Sequence, residues 1–456
     1  MTRDTVAALA TAPGTGGIAV VRISGPQAYA VAAQVFAPAD KARKVEEAKG
    51  YTAMYGRFLW RGRPQDETVA LFFRAPKSYT GEDVVELSCH GGAAVTKALL
   101  EACIEAGAVP APPGEFTKRA FLSGRISLTQ AEAVMDLISA SSRSGAAAAQ
   151  AALSGALYQK IKPVTVQLTA LAGHIAAYID YPEEGVPGLE EGVLRDTLCR
   201  ARETLRALIE GYDKGAMLRM GVETAIVGSP NVGKSTLFNL LAGFDRAIVT
   251  PIAGTTRDVV EQAVQVGGLE LLLADTAGLR ETADTVEAEG IRRSYGCFEK
   301  AQLVVAVFDG SQPLEEAGRA LCESCRGRRA LAVVNKTDLE RRLKAEDLAG
   351  YFTDVIELSA RDEDAADKLE KAVAGVLQLA GAEPGGAMLA NARQLSAAVK
   401  AAGALDDALE AERQGFDLDA VGVCIDDALN ALYELTGESA SDAVIEEVFS
   451  KFCVGK

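Results

Sequence analysis

Residues 228 to 235, Gly-Ser-Pro-Asn-Val-Gly-Lys-Ser, follow the apolar run Val222 to Val227 and precede a helix-like stretch. A glycine-rich turn in that place lets backbone N–H groups converge on phosphate oxygens at a helix N-terminus. Lys234 adds charge between the terminal phosphates, and the Ser235 hydroxyl suits Mg²⁺. Three further polar motifs each end an apolar run: Asp275-Thr276-Ala277-Gly278 after Leu269 to Ala274, Asn335-Lys336-Thr337-Asp338 after Leu331 to Val334, and Ser359-Ala360 after Val355 to Leu358. In a doubly wound sheet these carboxyl ends form the ligand crevice. Asp338 is suited to accept from N1–H and the exocyclic amine of guanine, and adenine offers no matching pair of donors. A site built this way rejects an analogue lacking the donors by about four to five decades, so the expected nucleotide is GTP or GDP and ATPase is a poor alternative.

The chain that must position these groups has 456 residues, enough for two to four domains. Residues 1 to 118 alternate strand-like runs (Gly17 to Ile23, Thr52 to Leu59, Glu67 to Phe73, Asp83 to Cys89) with turns and one helix-like stretch, Ala93 to Ala106. This reads as a small α+β domain. Residues 119 to 219 carry apolar residues at three-and-four spacing, broken near Tyr181 to Pro187. Residues 220 to 380 hold the nucleotide motifs, and residues 381 to 456 return to helical character. The order helical, nucleotide-binding, helical is most economically a doubly wound α/β P-loop domain inserted into one all-α domain, since neither flank alone makes a complete bundle. The expected fold class is therefore multidomain: α+β, all-α, and an inserted P-loop G domain.

Lys and Arg number 47 against 63 Asp and Glu, a formal charge of −16. That balance excludes a general polyanion binder, because nucleic-acid affinity is dominated by phosphate neutralisation; RNA contact must come from a local patch or a partner. Eight cysteines lie without framework spacing, the pattern of a reduced cytosolic chain, and Cys322-x-x-Cys325 reads as part of an exposed helix. Met1 to Gly14 lacks a basic segment with an apolar core, and no run approaches the roughly 20 apolar residues of a membrane span. The expectation is a cytoplasmic protein with no membrane contact. His90 and His174 are the only histidines, and without a ligand cluster around them both read as structural.

With these motifs in place, the chain resembles the tRNA-modification GTPase MnmE (TrmE) family over its whole length. The likeness rests on Gly16 to Gly25, Tyr79-Thr80-Gly81-Glu82-Asp83, His90-Gly91-Gly92, Pro113-Gly114-Glu115-Phe116, the nucleotide motifs, and the terminal Phe452-Cys453-Val454-Gly455-Lys456. It implies an N-terminal tetrahydrofolate-binding-like domain and a GTPase acting with a flavin-dependent MnmG-like partner. Together they would place an aminomethyl-type group on C5 of a tRNA wobble uridine, with the one-carbon unit from a tetrahydrofolate derivative and most of the tRNA held by the partner. It also implies a homodimer in whose active state two G domains face each other.

By the same resemblance the nucleotide set comprises Asn231, Val232, Gly233, Lys234, Ser235 and Thr236; Thr250, Pro251, Ile252, Ala253, Gly254, Thr255 and Thr256 of a cation-capping loop and first switch; and Asp275, Thr276, Ala277 and Gly278. Asn335, Lys336, Asp338, Ser359, Ala360 and Arg361 complete it. Ser235 and Thr256 would hold Mg²⁺. Asn231, Thr250, Ile252 and Thr255 would hold K⁺ in place of an arginine finger. Leu279 stands where small signalling GTPases have a water-orienting Gln, and the resemblance gives that task to Glu287, which on its own reads as a solvated helix carboxylate. Arg22, Glu86, Arg125 and Lys456 would contact folate. Taken without the resemblance, Arg22 and Glu86 read as residues on the solvated face of strands. By the resemblance, Arg125 stands where the family's folate pocket often has Lys, which keeps the charge and changes its geometry. Cys453 is the second catalytic candidate, either a reactive thiolate or a small buried side chain. Two other classes stand beside this reading: a ribosome-assembly GTPase switch, disfavoured by the single phosphate loop and the absence of a basic RNA-binding appendage, and a folate-binding transferase whose G domain is structural.

Overall fold

A computed structural model describes residues 4–181, 187–188, 192–242, 262–266, 269–274, 298–377, 385–439 and 441–456. Glu287, Thr250 to Thr256 and Asp275 to Gly278 lie outside them. By packing the chain divides into two compact units, residues 1–135 with 426–456, and residues 136–425.

The first unit carries a seven-stranded sheet ordered β3-β4-β5-β6-β2-β1-β7. Its strands are β1 (Val6–Leu9), β2 (Ile18–Ser24), β3 (Phe36–Pro38), β4 (Thr52–Trp60), β5 (Arg63–Phe73), β6 (Val84–His90) and β7 (Val109–Pro110). Alternation decides the faces, since successive side chains of a strand point oppositely. Val21 and Ile23 of β2, Ala70 and Phe72 of β5, and Val85, Leu87 and Cys89 of β6 are buried beneath α1 (Ala28–Val35) and α2 (Ala93–Glu105). Arg22 and Glu86, one residue out of phase and directly paired across β2 and β6, therefore take the opposite face.

Beyond the sheet, α3 (Glu115–Leu122) is tied down by Arg119. Its guanidinium is almost fully buried and reaches Glu82 and Glu115, both at 2.8 Å. Burial disfavours that cation, but the two carboxylates outweigh it and raise its pKa. Leu128 and Ala131 of α4 (Leu128–Ser139) pack with Ile445 and Phe449 of α14 (Asp442–Ser450) and with Phe452 beyond it. That cluster draws residues 426–456 into this unit, so packing divides the chain differently from the boundary at 381 that composition suggests. The division falls inside α4 and inside α13 (Leu418–Thr436), where helical periodicity runs on without a break.

The second unit joins helices to a six-stranded sheet ordered β13-β12-β11-β8-β10-β9. Here β8 is Val222–Val227, β9 Gln262–Val266, β10 Leu269–Ala274, β11 Leu303–Asp309, β12 Ala330–Asn335 and β13 Asp354–Glu357. All pairings are parallel except β9 with β10. Parallel strands covered on both faces are apolar throughout. In β11, Leu303, Val305 and Val307 join the core beneath α9 (Lys234–Ala242) and α11 (Ala365–Val376), while Val304, Ala306 and Phe308 join the core beneath α10 (Glu316–Cys325). Cys322 and Cys325 belong to that second core. The expectation of an exposed helix is corrected: both thiols face inward at i and i+3, and burial pushes Cys325 up to about 11.

The helices of this unit are α5 (Arg143–Leu153), α6 (Ala156–Asp180), α7 (Val193–Glu210), α8 (Tyr212–Met220) and α12 (Ala392–Gln414). α12, capped by the Asn391 side chain and ended by Gly415 in the left-handed region, packs along α7. Arg202 and Arg206 of α7 both reach Asp406 of α12. Helices before and after the nucleotide sheet thus form one layer. α5 and α8 contact β10, where Ser141 donates to the buried Glu270 at 2.5 Å and Gln265 donates to the Ser141 carbonyl.

Candidate functional site

Strand β8 sits where the chain turns from one side of the sheet to the other: β10 and β9 lie on one flank, β11 to β13 on the other. The loop between β8 and α9 therefore opens at the topological switch point. Lys234 donates from Nζ to the carbonyls of Gly228 and Ser229 at 2.9 and 2.8 Å, so its half-buried ammonium lies folded over the loop it belongs to. Burial lowers its pKa. Asn231 is exposed with φ of 62°, and Ser235 and Thr236 are exposed on the first turn of α9. The Ser235 hydroxyl is thus available where a Mg²⁺ ligand is needed; its expected companion Thr256 lies outside the described residues.

Asn335 holds the crevice together. It is 3% exposed, donates from Nδ2 to the Val232 carbonyl at 2.9 Å, and accepts at Oδ1 from the Ala360 N–H at 3.0 Å. One amide thereby staples the phosphate loop, the end of β12 and the loop after β13. The approach is so close that a Cβ on Gly233 would fall well inside contact with Asn335 Nδ2, and Gly233 itself has φ of 102°. The Asn335 side chain, expected in the nucleotide set, is occupied in joining three loops. Lys336, with φ of 64°, extends to Asp309 at 2.6 Å. Asp338 is exposed, Ser359 is buried with its hydroxyl accepting from the Arg361 N–H at 3.4 Å, and Arg361 is exposed. The structure thus joins the loop of Asn231 to Thr236 to Asn335 and to the loop of Ser359 to Arg361, with Lys336 and Asp338 following Asn335 along the chain. Asp309 was missed by sequence reasoning, although it ends an apolar run as the recognised motifs do.

A second polar group lies in the first unit. Arg22 Nε and Glu86 Oε1 form one ion pair at 2.7 Å, with side chains 16% and 20% exposed. The guanidinium of Arg22 lies 5.5 Å from the Tyr79 ring centroid and 5.3 Å from that of Phe116, and Arg125 sits 5.4 Å from the same Tyr79 ring. The tail arrives at this place: the Gly114 N–H donates to the Cys453 carbonyl at 3.4 Å and the Phe116 N–H to the Lys456 carbonyl at 3.1 Å. Gly455, φ 94°, lies flush on the Leu9 carbonyl with no room for a Cβ. Phe452 is buried, and the Cys453 thiol is exposed rather than packed. Leu9 also lines a cavity of about 570 Å³ with Thr11, Ile18, Lys97 and Leu100. Arg22, Glu86, Arg125 and the backbone of Lys456 are thus connected through Tyr79, Phe116 and α3. Neither strand residue is solvated as a bare strand pattern suggests.

The histidines have ordinary partners. His90 Nδ1 pairs with Asp66 Oδ1 at 2.6 Å while its N–H donates to Oδ2 at 2.8 Å, and His174 Nε2 lies 2.8 Å from the Pro187 carbonyl. Among the described residues no cluster of His, Cys, Asp and Glu has the arrangement of a metal site, and no helix is long and apolar enough to cross a membrane.

Comparison with known proteins identifies the family. Residues 5–125 match the family described as GTP-binding protein TrmE N-terminus, and residues 128–453 match the MnmE helical domain. The chain is 38% identical over 463 residues to the tRNA modification GTPase MnmE of Natranaerobius thermophilus, covering 100% of both chains. With that of Lactiplantibacillus plantarum it shares 39% identity, covering 99% of this chain and 98% of the relative. Among solved structures, the FeoB G-domain from Methanococcus jannaschii is 29% identical over 34% of this chain and 97% of that one, with a TM-score of 0.26.

Proposed function

The chain belongs to the MnmE (TrmE) family of tRNA-modification GTPases, and from that premise we propose that its GTP hydrolysis serves C5 modification of the wobble uridine, with a flavin-dependent partner and a folate one-carbon donor. The observation that supports the nucleotide half is the Asn335 staple, which fixes the phosphate loop against the loops expected to read guanine. A crevice whose backbone donors are already in place lowers the ordering cost of binding. Lys234 exchanges its two carbonyl acceptors for phosphate oxygens, a trade towards stronger charge-assisted bonds. Mg²⁺ held by Ser235 and Thr256 would neutralise charge on the leaving phosphates. Glu287 would position the attacking water, and Asn231, Thr250, Ile252 and Thr255 would supply oxygen ligands to K⁺, which would take the place of an arginine finger.

For the folate half, the Arg22–Glu86 pair presents donors and an acceptor side by side, which suits the edge of a pterin ring. Arg125 and Lys456 then take the glutamate carboxylates. Cys453, exposed on the docked tail, is available to the one-carbon chemistry. The acidic chain leaves most tRNA contact to the partner. Mass spectrometry of wobble uridines from cells lacking this protein tests the whole reading: loss of the C5 substituent is expected. Intact uridine modification together with accumulation of unfinished ribosomal subunits would favour the ribosome-assembly switch instead.

A further inference from the structure

Asp309 closes β11 and lies in register with Asn335 of β12. Its carboxylate is divided between two duties. Oδ1 accepts from the N–H and the hydroxyl of Ser311 at 2.9 and 2.6 Å, and Oδ2 accepts from Lys336 Nζ at 2.6 Å. Burial of Asp309 works against its charge, but the bonds from Lys336 and Ser311 outweigh it and hold the carboxyl below its ordinary range. Both oxygens are engaged within the protein, which leaves this carboxylate poorly placed as a metal ligand.

Lys336 is the more informative partner. Its backbone occupies the left-handed region, a strained conformation for a non-glycine residue. It lies between the Asn335 staple and Asp338. A lysine free in solution spreads over many rotamers, and fixing one costs conformational entropy. Pinning Nζ to Asp309 settles that cost before any ligand arrives. With Nζ held at Asp309, the four-carbon stem is fixed between the backbone next to Asn335 and the Asp309 carboxylate, an apolar strip with its charge drawn to one end. An apolar strip of this kind suits the face of a purine, while Asp338 takes the base's hydrogen-bonding edge.

We propose that Asp309 is a positioning residue of the guanine site, acting through Lys336. This rests on the reading that Asn335 to Asp338 bind the base. Asp309 makes the lysine a pre-formed shelf; without it, each binding event must order the lysine anew, and the bound base leaves sooner.

The test uses the full chain with Mg²⁺ and fluorescent GDP, measuring Kd by titration and dissociation by stopped flow. Asp309→Ala is expected to weaken GDP about tenfold, mostly through faster dissociation, with a larger change in the KM for GTP than in kcat. Inosine diphosphate should lose affinity by the same factor, since a stem against the purine face does not sense the exocyclic amine. A loss confined to GDP would overturn the proposal. Lys336→Met should lose a comparable factor, and the double variant no more than the larger single loss; additive losses would show that the two act separately. Asp309→Asn, which keeps the shape and the Ser311 bonds, should lose about threefold and guards against misfolding of the alanine variant. Ser311→Ala should stay within twofold, and a loss equal to that of Asp309→Ala would reduce Asp309 to a turn residue. Asp338→Asn separates the two readings. If it leaves the preference for guanosine over xanthosine diphosphate unchanged, the base assignment fails. If it inverts that preference while Asp309→Ala binds as the parent does, only the present proposal fails.

Discussion

Replacing Gly455 by Ala should release the tail from its seat while leaving the nucleotide crevice intact. The tail is held by burial of Phe452, worth roughly 1.5–3 kcal/mol, and by two main-chain hydrogen bonds at 3.1 and 3.4 Å, each contributing about 1 kcal/mol or less. Ordering the last few residues offsets much of this, at about 1–2 kcal/mol each. Against so narrow a margin, an alanine at φ 94° adds roughly 1–2 kcal/mol of backbone strain, and its methyl group meets the Leu9 carbonyl directly. Amide hydrogen exchange reads the outcome at the acceptors' partners. The N–H groups of Gly114 and Phe116 lose Cys453 and Lys456 as acceptors, so both should exchange at least tenfold faster. GTP turnover should remain parental while wobble-uridine modification is lost. Parental protection at Phe116 in the alanine variant would refute the argument that this glycine seats the tail.

Three further outcomes are expected. GTP turnover should be at least a hundredfold faster in K⁺ than in Na⁺ at matched ionic strength if Asn231 and its companions hold a cation in place of an arginine finger, and equal rates would sink that assignment. Arg119→Ala takes the guanidinium from Glu82 and Glu115, two mostly buried carboxylates, and should lower the stability of the first unit by about 3–5 kcal/mol in urea unfolding; a loss under 1 kcal/mol would mean water and the Ser24 hydroxyl replace the guanidinium without cost. Burial alone would raise the Asp66 carboxyl, but bonds from the His90 main chain and ring outweigh it and hold it low, so its contribution is present above the ordinary carboxylate pKa and fades as pH falls through the lowered one. Asp66→Asn should therefore flatten the acid limb of stability below about pH 4, visible as a smaller shift of the urea midpoint on acidification.

The residues that could be read ahead of the structure are those whose meaning is local. The runs ending at Val227, Ala274 and Val334 sit within a residue or so of the ends of β8, β10 and β12, because a parallel strand covered on both faces announces itself by uninterrupted apolar residues. β11 carries the same signal, Leu303 to Phe308, but no recognised motif follows it; its chemistry is the final Asp309. Val6–Leu9 and Ala28–Val35 are short and alanine-rich, and the partners that make them a strand and a helix are supplied by the sheet. The role of Asn335 was not visible either, since an amide that joins Val232 to Ala360 acquires that task only when three loops meet. Nor could spacing show that Arg22 and Glu86 neutralise each other, because β2 and β6 are brought side by side only by tertiary pairing.

The cluster of Leu128 and Ala131 with Ile445, Phe449 and Phe452 also has a meaning in time. A ribosome releases the chain in order, at roughly 5–20 residues per second. About 320 residues separate Leu128 from Phe449, so the apolar side of α4 waits roughly 15 to 60 seconds for its cover while the whole nucleotide sheet is being made. The N-terminal unit, first to emerge, is among the last to be finished. A ribosome stalled within the nucleotide sheet therefore displays a bare leucine face, a natural target for chaperones and for proteolysis. Any variant that weakens the final helix should first betray itself as low yield during synthesis.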